Sequence, residues 1–227
     1  MKPHIICHMT SSIDGRIDGT SLKNVMPEDE YEATGSALQG DAWICGRTTM
    51  QQHFAAKELF VSKSNEAAGK RPVYVATRAE SYAVSLDTDG KLRWDSADID
   101  GEHLICIVSE RAPEDYLSYL QSQGVSYIVT GETSIDLVEA VELLNQHFGI
   151  RNLLLEGGGR INGAFLEANL IDEVSLLLVP GIDGRHAVPT VFDWVRPTNQ
   201  TAVPLKLKSV EKRKQDTLWL RYDVVRP

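Results

Sequence analysis

The chain has 227 residues, of which 42% are hydrophobic and 24% are charged. This balance is typical of a folded globular protein and excludes a disordered or fibrous one. Lys and Arg total 23 against 32 Asp and Glu, which gives a net charge of −9. Such a surface repels phosphate backbones and anionic lipids, so we expect no nucleic-acid or membrane partner. A local arginine cluster still permits binding of a small anion.

No stretch of the sequence resembles a targeting or membrane-spanning segment, and we expect a cytoplasmic protein. The three cysteines, Cys7, Cys45 and Cys106, each lie in an apolar run. Their number is odd and their spacing fits no metal site, so buried free thiols are expected.

Apolar runs of strand length alternate with amphipathic stretches along most of the chain. Strands are predicted at 4–9, 42–45, 72–76, 104–108, 126–129, 152–155 and 173–179, followed by an antiparallel pair at 205–213 and 217–224. Helices are predicted at 27–39, 113–123, 135–147 and 160–169, and a loop at 87–101. This alternation predicts an α/β fold with a mainly parallel mixed sheet flanked by helices and a C-terminal antiparallel hairpin. We expect one domain that spans residues 1–227.

Three glycines, Gly157 to Gly159, follow the predicted strand 152–155 and lead directly into Arg160, Ile161 and a helix. Glycines let the backbone approach a ligand closely, and the start of a helix attracts anions. The motif therefore indicates either a pyrophosphate cradle or a tight strand-to-helix turn without a ligand. Its spacing differs from the dinucleotide-binding fingerprint of Rossmann folds.

Three more predicted strands end in glycine, hydroxyl or arginine residues. The residues concerned are Gly46, Arg47, Thr48 and Thr49 after the second strand, Thr77 and Arg78 after the third, and Gly131 after the strand at 126–129. Each could be a plain turn or helix cap. Because ligands bind outside the carboxyl ends of strands in open α/β sheets, the four motifs together could converge on one dinucleotide.

The order of these motifs resembles the dihydrofolate-reductase-like superfamily. Within it, the chain is most similar to the reductase domain of the riboflavin-pathway deaminase–reductase (the RibD C-terminal domain) and its stand-alone relatives. The resemblance is carried by Ser12-Ile13-Asp14-Gly15 after the first strand, by residues 41–49, and by a long block from Glu156 to Gly184. It implies a central sheet with flanking helices, NADPH as hydride donor, a homodimer, and reduction of a ribosylamino-pyrimidine to its ribitylamino form.

The same resemblance implies roles for individual residues. Gly46, Arg47, Thr48, Thr49 and the stretch Gly157, Gly158, Gly159, Arg160 and Ile161 would hold the pyrophosphate, Thr77 and Arg78 the 2′-phosphate, and Gly131 the adenine side. Asp14, Glu156 and His8 are the candidate catalytic residues, with His8 as a proton donor, and Thr10, Ser12 and Asp29 are candidates for substrate binding. No metal is expected, because the zinc motif of the deaminase is absent from the sequence.

The sequence also departs from the family pattern. His8 stands where riboflavin reductases commonly have Lys, and residues 50–54 lack the usual Asp-x-Pro segment. The acidic stretch 27–31 lacks the Arg that often binds the substrate phosphate, and we expect it to repel a phosphate. Asp29 lies roughly where dihydrofolate reductases carry an acid. A dihydrofolate reductase, a reductase of another small heterocycle, or an inactive nucleotide-binding relative therefore stay open as alternatives.

Overall fold

The structure is a computed structural model that describes residues 1–193 and 201–226. In the described residues the strands are β1 (His4–Ser11), β2 (Ala42–Gly46), β3 (Tyr82–Leu86), β4 (Asp98–Ile99), β5 (Glu102–Val108), β6 (Ser126–Val129), β7 (Asn152–Leu155), β8 (Glu173–Leu178), β9 (Leu205–Lys212) and β10 (Leu218–Val224). The helices are α1 (Gly19–Leu22), α2 (Glu30–Ala37), α3 (Arg47–His53), α4 (Glu114–Ser122), α5 (Leu137–Phe148) and α6 (Gly159–Glu167), and a 3-10 turn spans Lys214–Asp216.

The chain divides into two compact units. The first unit contains residues 1–3 and 41–153, and the second contains residues 4–40 and 154–227. No described helix is long and apolar enough to cross a membrane.

The first unit is built on parallel strands. β2 pairs with β3, β3 with β5 and β5 with β6, all parallel, and the short β4 pairs antiparallel with β5. The register places Gly46 opposite Leu86, Leu86 opposite Ile107 and Ile107 opposite Ile128. The carboxyl ends of these four strands therefore lie at one edge. That edge is where ligands bind in open α/β sheets.

The core of the first unit forms because α4 presents one apolar face to the strands. Tyr116, Leu117 and Leu120 of this helix are buried, as the helical spacing predicts. They join a cluster that includes Cys106, Leu104 and the side chains of neighbouring strands. Burial of each such side chain contributes roughly 1.5–3 kcal/mol.

The second unit joins strands from the two ends of the chain. β1 pairs parallel with β8, β10 pairs antiparallel with β8, and β9 pairs antiparallel with β10. A register shift between Arg221 and Tyr222 marks a bulge in the β9–β10 pairing. The predicted C-terminal hairpin is therefore present.

Most predicted elements are confirmed, including the mainly parallel architecture with its closing hairpin and the burial of the three free cysteines. The predicted strand 72–76 is wrong. Only Tyr74 of this stretch forms an isolated bridge, to Tyr127, and the strand that pairs with β2 is β3 instead. Val138 of α5 is 49% exposed, although it shares the helical spacing of the buried Val141 and Leu144. The single-domain expectation stays a prediction.

Candidate active site

The carboxyl end of β2 places Arg47 and Thr48 in solvent. Gly46 caps α3 with extended backbone, so the chain turns directly from strand to helix. Arg47 and Thr48 are exposed and Thr49 is half-buried. These side chains are accessible to a ligand, and their role in contacting an anion stays a prediction.

Asp87 follows β3 at the same edge and is buried. Burial raises the pKa of its carboxyl group, while the backbone N–H groups of Leu92 and Lys91, the Tyr116 hydroxyl and the positive charge of Arg47 act in the opposite direction. The Lys91 and Leu92 N–H groups donate to Asp87 Oδ2 at 2.6 and 2.7 Å. Asp87 thus holds the turn after β3 and adds negative charge near Arg47.

Gly131 follows β6 at this edge, in a turn that the protein itself packs. Its φ is +74°, and a Cβ atom there would lie 2.0 Å from the carbonyl oxygen of Ser134. The turn needs glycine with or without a ligand. An open cleft of about 540 Å³ adjoins the turn, lined among others by Lys70, Arg71 and Thr130.

Thr77 and Arg78 lie at the opposite end of the strands. The Ala76 N–H donates to the hydroxyl of Ser126 at the start of β6, and the Ala79 N–H donates to Tyr82 Oη at the start of β3. Arg78 Nη1 donates to the His147 carbonyl at 3.1 Å. A five-residue strand is roughly 13 Å long. The assumption that these two residues follow the carboxyl end of a strand is therefore wrong.

In the second unit, Gly157 to Gly159 connect β7 to α6. Gly157 has a φ of +89°, and a Cβ there would lie 3.0 Å from Met9 Sδ. A Cβ on Gly159 would lie 2.2 Å from the Thr190 carbonyl oxygen and 2.8 Å from Asp193 Oδ2. The third glycine therefore makes room for residues 190–193 of the same chain. Arg160 is exposed and Ile161 is half-buried, in the first turn of α6.

Asp14 holds two loops of the second unit together. Its carboxylate accepts hydrogen bonds from Ser12 Oγ at 2.7 Å and from the backbone N–H groups of Asp183 and Gly184 at 2.9 Å each. These three donors lower the pKa of Asp14 to about 2. Asp14 is thus ionised at neutral pH and cannot donate a proton there.

His8 is completely buried, which does not fit the expected proton donor. Its Nδ1 lies 3.0 Å from Ser175 Oγ, its Nε2 lies 3.3 Å from the Tyr31 carbonyl oxygen, and its ring stacks on Tyr31 at 4.5 Å. Burial is the main cause that lowers the pKa of His8 to about 4. His8 is therefore neutral at pH 7 and packed inside the second unit.

The other candidates of the second unit differ in their surroundings. Ser12 is buried and accepts the Arg16 N–H at 2.9 Å, so its hydroxyl belongs to the Asp14 loop. The buried Thr10 Oγ1 has no hydrogen-bond partner among the described residues. Glu156 is half-buried, and its charge adds to burial in raising the pKa of the Cys7 thiol. Asp29 is exposed, with a φ of 65°.

The acidic stretch 27–31 is less repulsive than the sequence indicates. Glu30 is buried, and its carboxylate pairs with Arg213 Nε at 2.8 Å and with Lys214 Nζ at 3.6 Å. These two cations come from the connection between β9 and β10. They lower the pKa of Glu30 and neutralise its charge.

Comparison with known proteins identifies the family. Residues 3–219 match the RibD C-terminal domain. The chain belongs to this family. Among curated proteins, it is 26% identical to the 2,5-diamino-6-ribosylamino-4(3H)-pyrimidinone 5′-phosphate reductase of Aquifex aeolicus, over 84% of this chain and 82% of that protein. The Methanothermobacter thermautotrophicus protein of the same name is 27% identical, over 85% of each chain.

Solved structures show the same fold. A pyrimidine reductase-like protein from Corynebacterium diphtheriae superposes with a TM-score of 0.74 at 18% identity, over 99% of this chain and 93% of that one. The riboflavin biosynthesis reductase Rib7 of Saccharomyces cerevisiae gives a TM-score of 0.63 at 18% identity, over 99% and 90%. The resemblance to the RibD reductase domain is confirmed.

Two polar residues that the sequence analysis did not name follow strands at the carboxyl edge of the first unit. Thr88 follows β3, and Arg111 lies three residues beyond the end of β5. Arg111 is half exposed and pairs with Asp89 at 2.6 Å. The signal was the end of the apolar run at Leu86, but residues 87–101 were predicted as a loop because they are polar and rich in Asp and Gly.

Proposed function

We propose that this protein reduces a ribosylamino-pyrimidine 5′-phosphate in riboflavin biosynthesis. The substrate is 2,5-diamino-6-ribosylamino-4(3H)-pyrimidinone 5′-phosphate or its deaminated analogue, 5-amino-6-(5-phosphoribosylamino)uracil. The observation that carries the proposal is the family match over residues 3–219, joined to relatives named as reductases of the first compound. An oxidoreductase of this pathway uses a nicotinamide cofactor, and we propose NADPH.

The residues of the first unit fit a phosphorylated cofactor. NADPH would supply the hydride. At the carboxyl ends of β2, β3 and β5, Arg47, Thr88 and Arg111 offer two guanidinium groups and a hydroxyl. Arginine binds phosphate through paired, charge-assisted hydrogen bonds. In this proposal these residues, instead of Thr77 and Arg78, contact the 2′-phosphate. The turn at Gly131 and the adjoining cleft bind the adenine.

Three arginine variants test this assignment. A charged hydrogen bond contributes about 1.5–3 kcal/mol, which corresponds to roughly 10- to 100-fold in affinity. Arg47→Ala or Arg111→Ala should weaken NADPH by that factor and NADH by much less, as measured by fluorescence titration. Arg78→Ala is the matched control and should leave both affinities within about twofold. Selective loss of NADPH in Arg78→Ala alone would restore the original assignment.

The proposed substrate contacts lie in the second unit. They are Glu156, Asp14, Ser12 and Thr10. Glu156 is the proposed acid that assists protonation. Asp14 and Ser12 shape the loop after β1, and the Thr10 hydroxyl, which has no described partner, is available to a bound ligand. A homodimer is part of the proposal.

The test of the function follows NADPH oxidation at the nicotinamide absorbance. The two pyrimidine phosphates are offered in separate reactions, with dihydrofolate in parallel. Turnover of either pyrimidine with none of dihydrofolate is the expected result. Turnover of dihydrofolate alone would refute the proposal and direct attention to Asp29. Tight NADPH binding without any turnover would point to an inactive nucleotide-binding relative.

A further inference from the structure

Residues 188–193 run between two loops of the second unit that carry candidate site residues. One is the loop 12–17 around the end of β1, which includes Ser12 and Asp14. The other is the glycine turn, residues 157–159, between β7 and α6. We call residues 188–193 the linking segment, because hydrogen bonds join it to both loops.

The linking segment pairs with the loop 12–17 in an antiparallel arrangement. Arg16 forms a bridge with Thr190, and its guanidinium donates from Nη1 to the Val188 carbonyl oxygen at 2.8 Å. Two backbone hydrogen bonds flank this bridge, from the Ile17 N–H to the Pro189 carbonyl oxygen at 3.1 Å and from the Val191 N–H to the Gly15 carbonyl oxygen at 3.3 Å. Displacement of the linking segment therefore breaks contacts on both sides of Arg16.

The other side of the linking segment is fixed to the glycine turn and to α6. Asn162 Nδ2 donates to the Val191 carbonyl oxygen at 2.8 Å, and the Asp193 N–H donates to the Gly159 carbonyl oxygen at 2.9 Å. Thr190 closes the segment on itself, since its hydroxyl donates to Asp193 Oδ1 at 2.7 Å and its N–H donates to Oδ2 at 3.0 Å. Asn162 and Val191 are both buried, so water does not compete for their hydrogen bond.

Each side of this arrangement holds a buried polar atom that has no hydrogen-bond partner among the described residues. These atoms are Arg16 Nε, a donor, and Asn162 Oδ1, an acceptor. Buried polar groups are normally hydrogen-bonded, so both atoms are available to a bound ligand. The Asn162 amide lies beside the glycine turn, because its Nδ2 is 3.7 Å from the position of a Cβ on Gly157. The two side chains that hold the linking segment thus adjoin the two candidate ligand-binding loops.

We propose that the linking segment couples the loop 12–17 to the glycine turn, with Arg16 and Asn162 as its positioning residues. A packed segment that is hydrogen-bonded on both sides transmits a shift of one loop to the other. Such a coupling is reciprocal, so whatever orders the glycine turn also orders the loop 12–17. Only the identity of the ligands rests on the proposed function. There, a cofactor bound at the glycine turn orders the loop that contacts the substrate.

The alternative is that the two loops are ordered independently. The loop 12–17 has further contacts of its own, because the Asp14 carboxylate accepts the N–H groups of Asp183 and Gly184 at 2.9 Å each. These bonds involve no residue of the glycine turn. A loop that depends on them alone keeps its order when the linking segment is released from α6.

Amide hydrogen exchange of the full chain, followed by NMR, separates the two cases. The reporter amides are Ile17, on the side of the loop, and Asp193, on the side of the glycine turn. Asn162→Ala should accelerate exchange of Ile17 about fivefold, the factor that corresponds to one lost hydrogen bond of ordinary strength. Arg16→Ala should accelerate exchange of Asp193 by a similar factor. In each case the reporter lies on the far side of the linking segment from the substitution.

The combined variant distinguishes coupling from two separate structural contacts. Arg16→Ala together with Asn162→Ala should accelerate Asp193 by less than the product of the two single factors, because either substitution alone releases the same segment. A full product would show independent contacts and refute the coupling. If Asn162→Ala fails to fold, Thr190→Val keeps the side-chain shape, removes the bond to Asp193, and should accelerate Ile17 about threefold.

Two control variants should leave both reporter amides within about twofold of the wild type. Leu166→Ala removes a half-buried side chain from α6 one turn beyond Asn162, and Lys23→Ala removes an exposed cation. Unchanged exchange of Ile17 in Asn162→Ala would overturn the proposal, as would an effect in one direction only. Equal acceleration of the β8 amides would also overturn it, because that marks a general loss of stability. No ligand is added, so these outcomes are independent of whether the protein binds NADPH or reduces a pyrimidine.

Discussion

Acid should destabilise this protein through His8, and His8→Gln should remove that effect. The imidazole is completely buried between Ser175 and Tyr31. Trp219 donates to Ser175 Oγ, so the serine hydroxyl is free to donate to His8 Nδ1, while Nε2–H donates to the Tyr31 carbonyl. This pattern is satisfied by a neutral ring. The glutamine amide offers an NH₂ donor group and a carbonyl acceptor, and it does not titrate.

The size of the effect follows from the difference between two pKa values. The ordinary pKa of a histidine side chain is about 6.5, and in the folded protein burial lowers the pKa of His8 to about 4. Between these values the unfolded chain binds a proton that the folded chain does not. The contribution of the neutral His8 ring to the free energy of unfolding is therefore fully present above pH 6.5. This contribution decreases as the pH falls towards 4. At 1.36 kcal/mol per pKa unit, about 3 kcal/mol is lost in total, of which about 2 kcal/mol is lost by pH 5.

Urea unfolding between about pH 7 and pH 4.5, followed by circular dichroism, measures this loss. Other groups also titrate in this range, but their contributions cancel when the variant is subtracted from the wild type. The difference curve for His8→Gln should change by about 2 kcal/mol between pH 7 and pH 5. His186→Gln, at an exposed position, is the control variant for the loss of one imidazole. Parallel curves for the wild type and His8→Gln would show that the buried ring is not what makes acid destabilising.

Two further predictions concern the glycine motif and its neighbour. Gly159→Ala should lower stability by about 2 kcal/mol in thermal melts, because its Cβ would lie 2.2 Å from the Thr190 carbonyl oxygen. Gly19→Ala, which meets no atom within 4 Å, should leave the melting temperature within about a degree of the wild type; equal melts for both would contradict the packing argument. Glu156→Gln should lower kcat about 100-fold in the NADPH oxidation assay while the Kd for NADPH changes less than about twofold; unchanged turnover would exclude Glu156 from the chemistry.

The sequence predicted helices and inner strands well because their apolar periodicity is strong. Predicted strands 126–129 and 152–155 coincide with β6 and β7, and helix 113–123 contains α4 with its buried face. Residues 72–76 and 82–86 are similar apolar runs. Which of them forms the strand beside β2 depends on strand pairing in the folded protein. The second is buried throughout as β3 between β2 and β5, which local propensity does not encode.

The candidate site was predicted in part, for a related reason. Residues that follow a correctly predicted strand, such as Arg47 and Gly131, lie at the expected edge of the first unit. Thr77 and Arg78 were assigned to this edge because the strand before them, 72–76, was predicted wrongly. The burial of His8 could not be predicted from the sequence either. Alternation in β1 shows that His8 and Thr10 lie on the same face of the strand, but it does not show which element covers that face. The stacking of Tyr31 on His8 is a tertiary contact.

The protonation states of Asp14 and His8 narrow the roles of two of the three predicted catalytic residues. Asp14, with a pKa of about 2, and His8, with a pKa of about 4, both lack a transferable proton at neutral pH. A general acid must hold its proton at the working pH. Asp14 therefore fixes the loops around Ser12 and Gly184, and His8 is a buried neutral ring that contacts Ser175 and Tyr31. Glu156 stays the proposed proton-transfer group, and the Glu156→Gln assay tests this role.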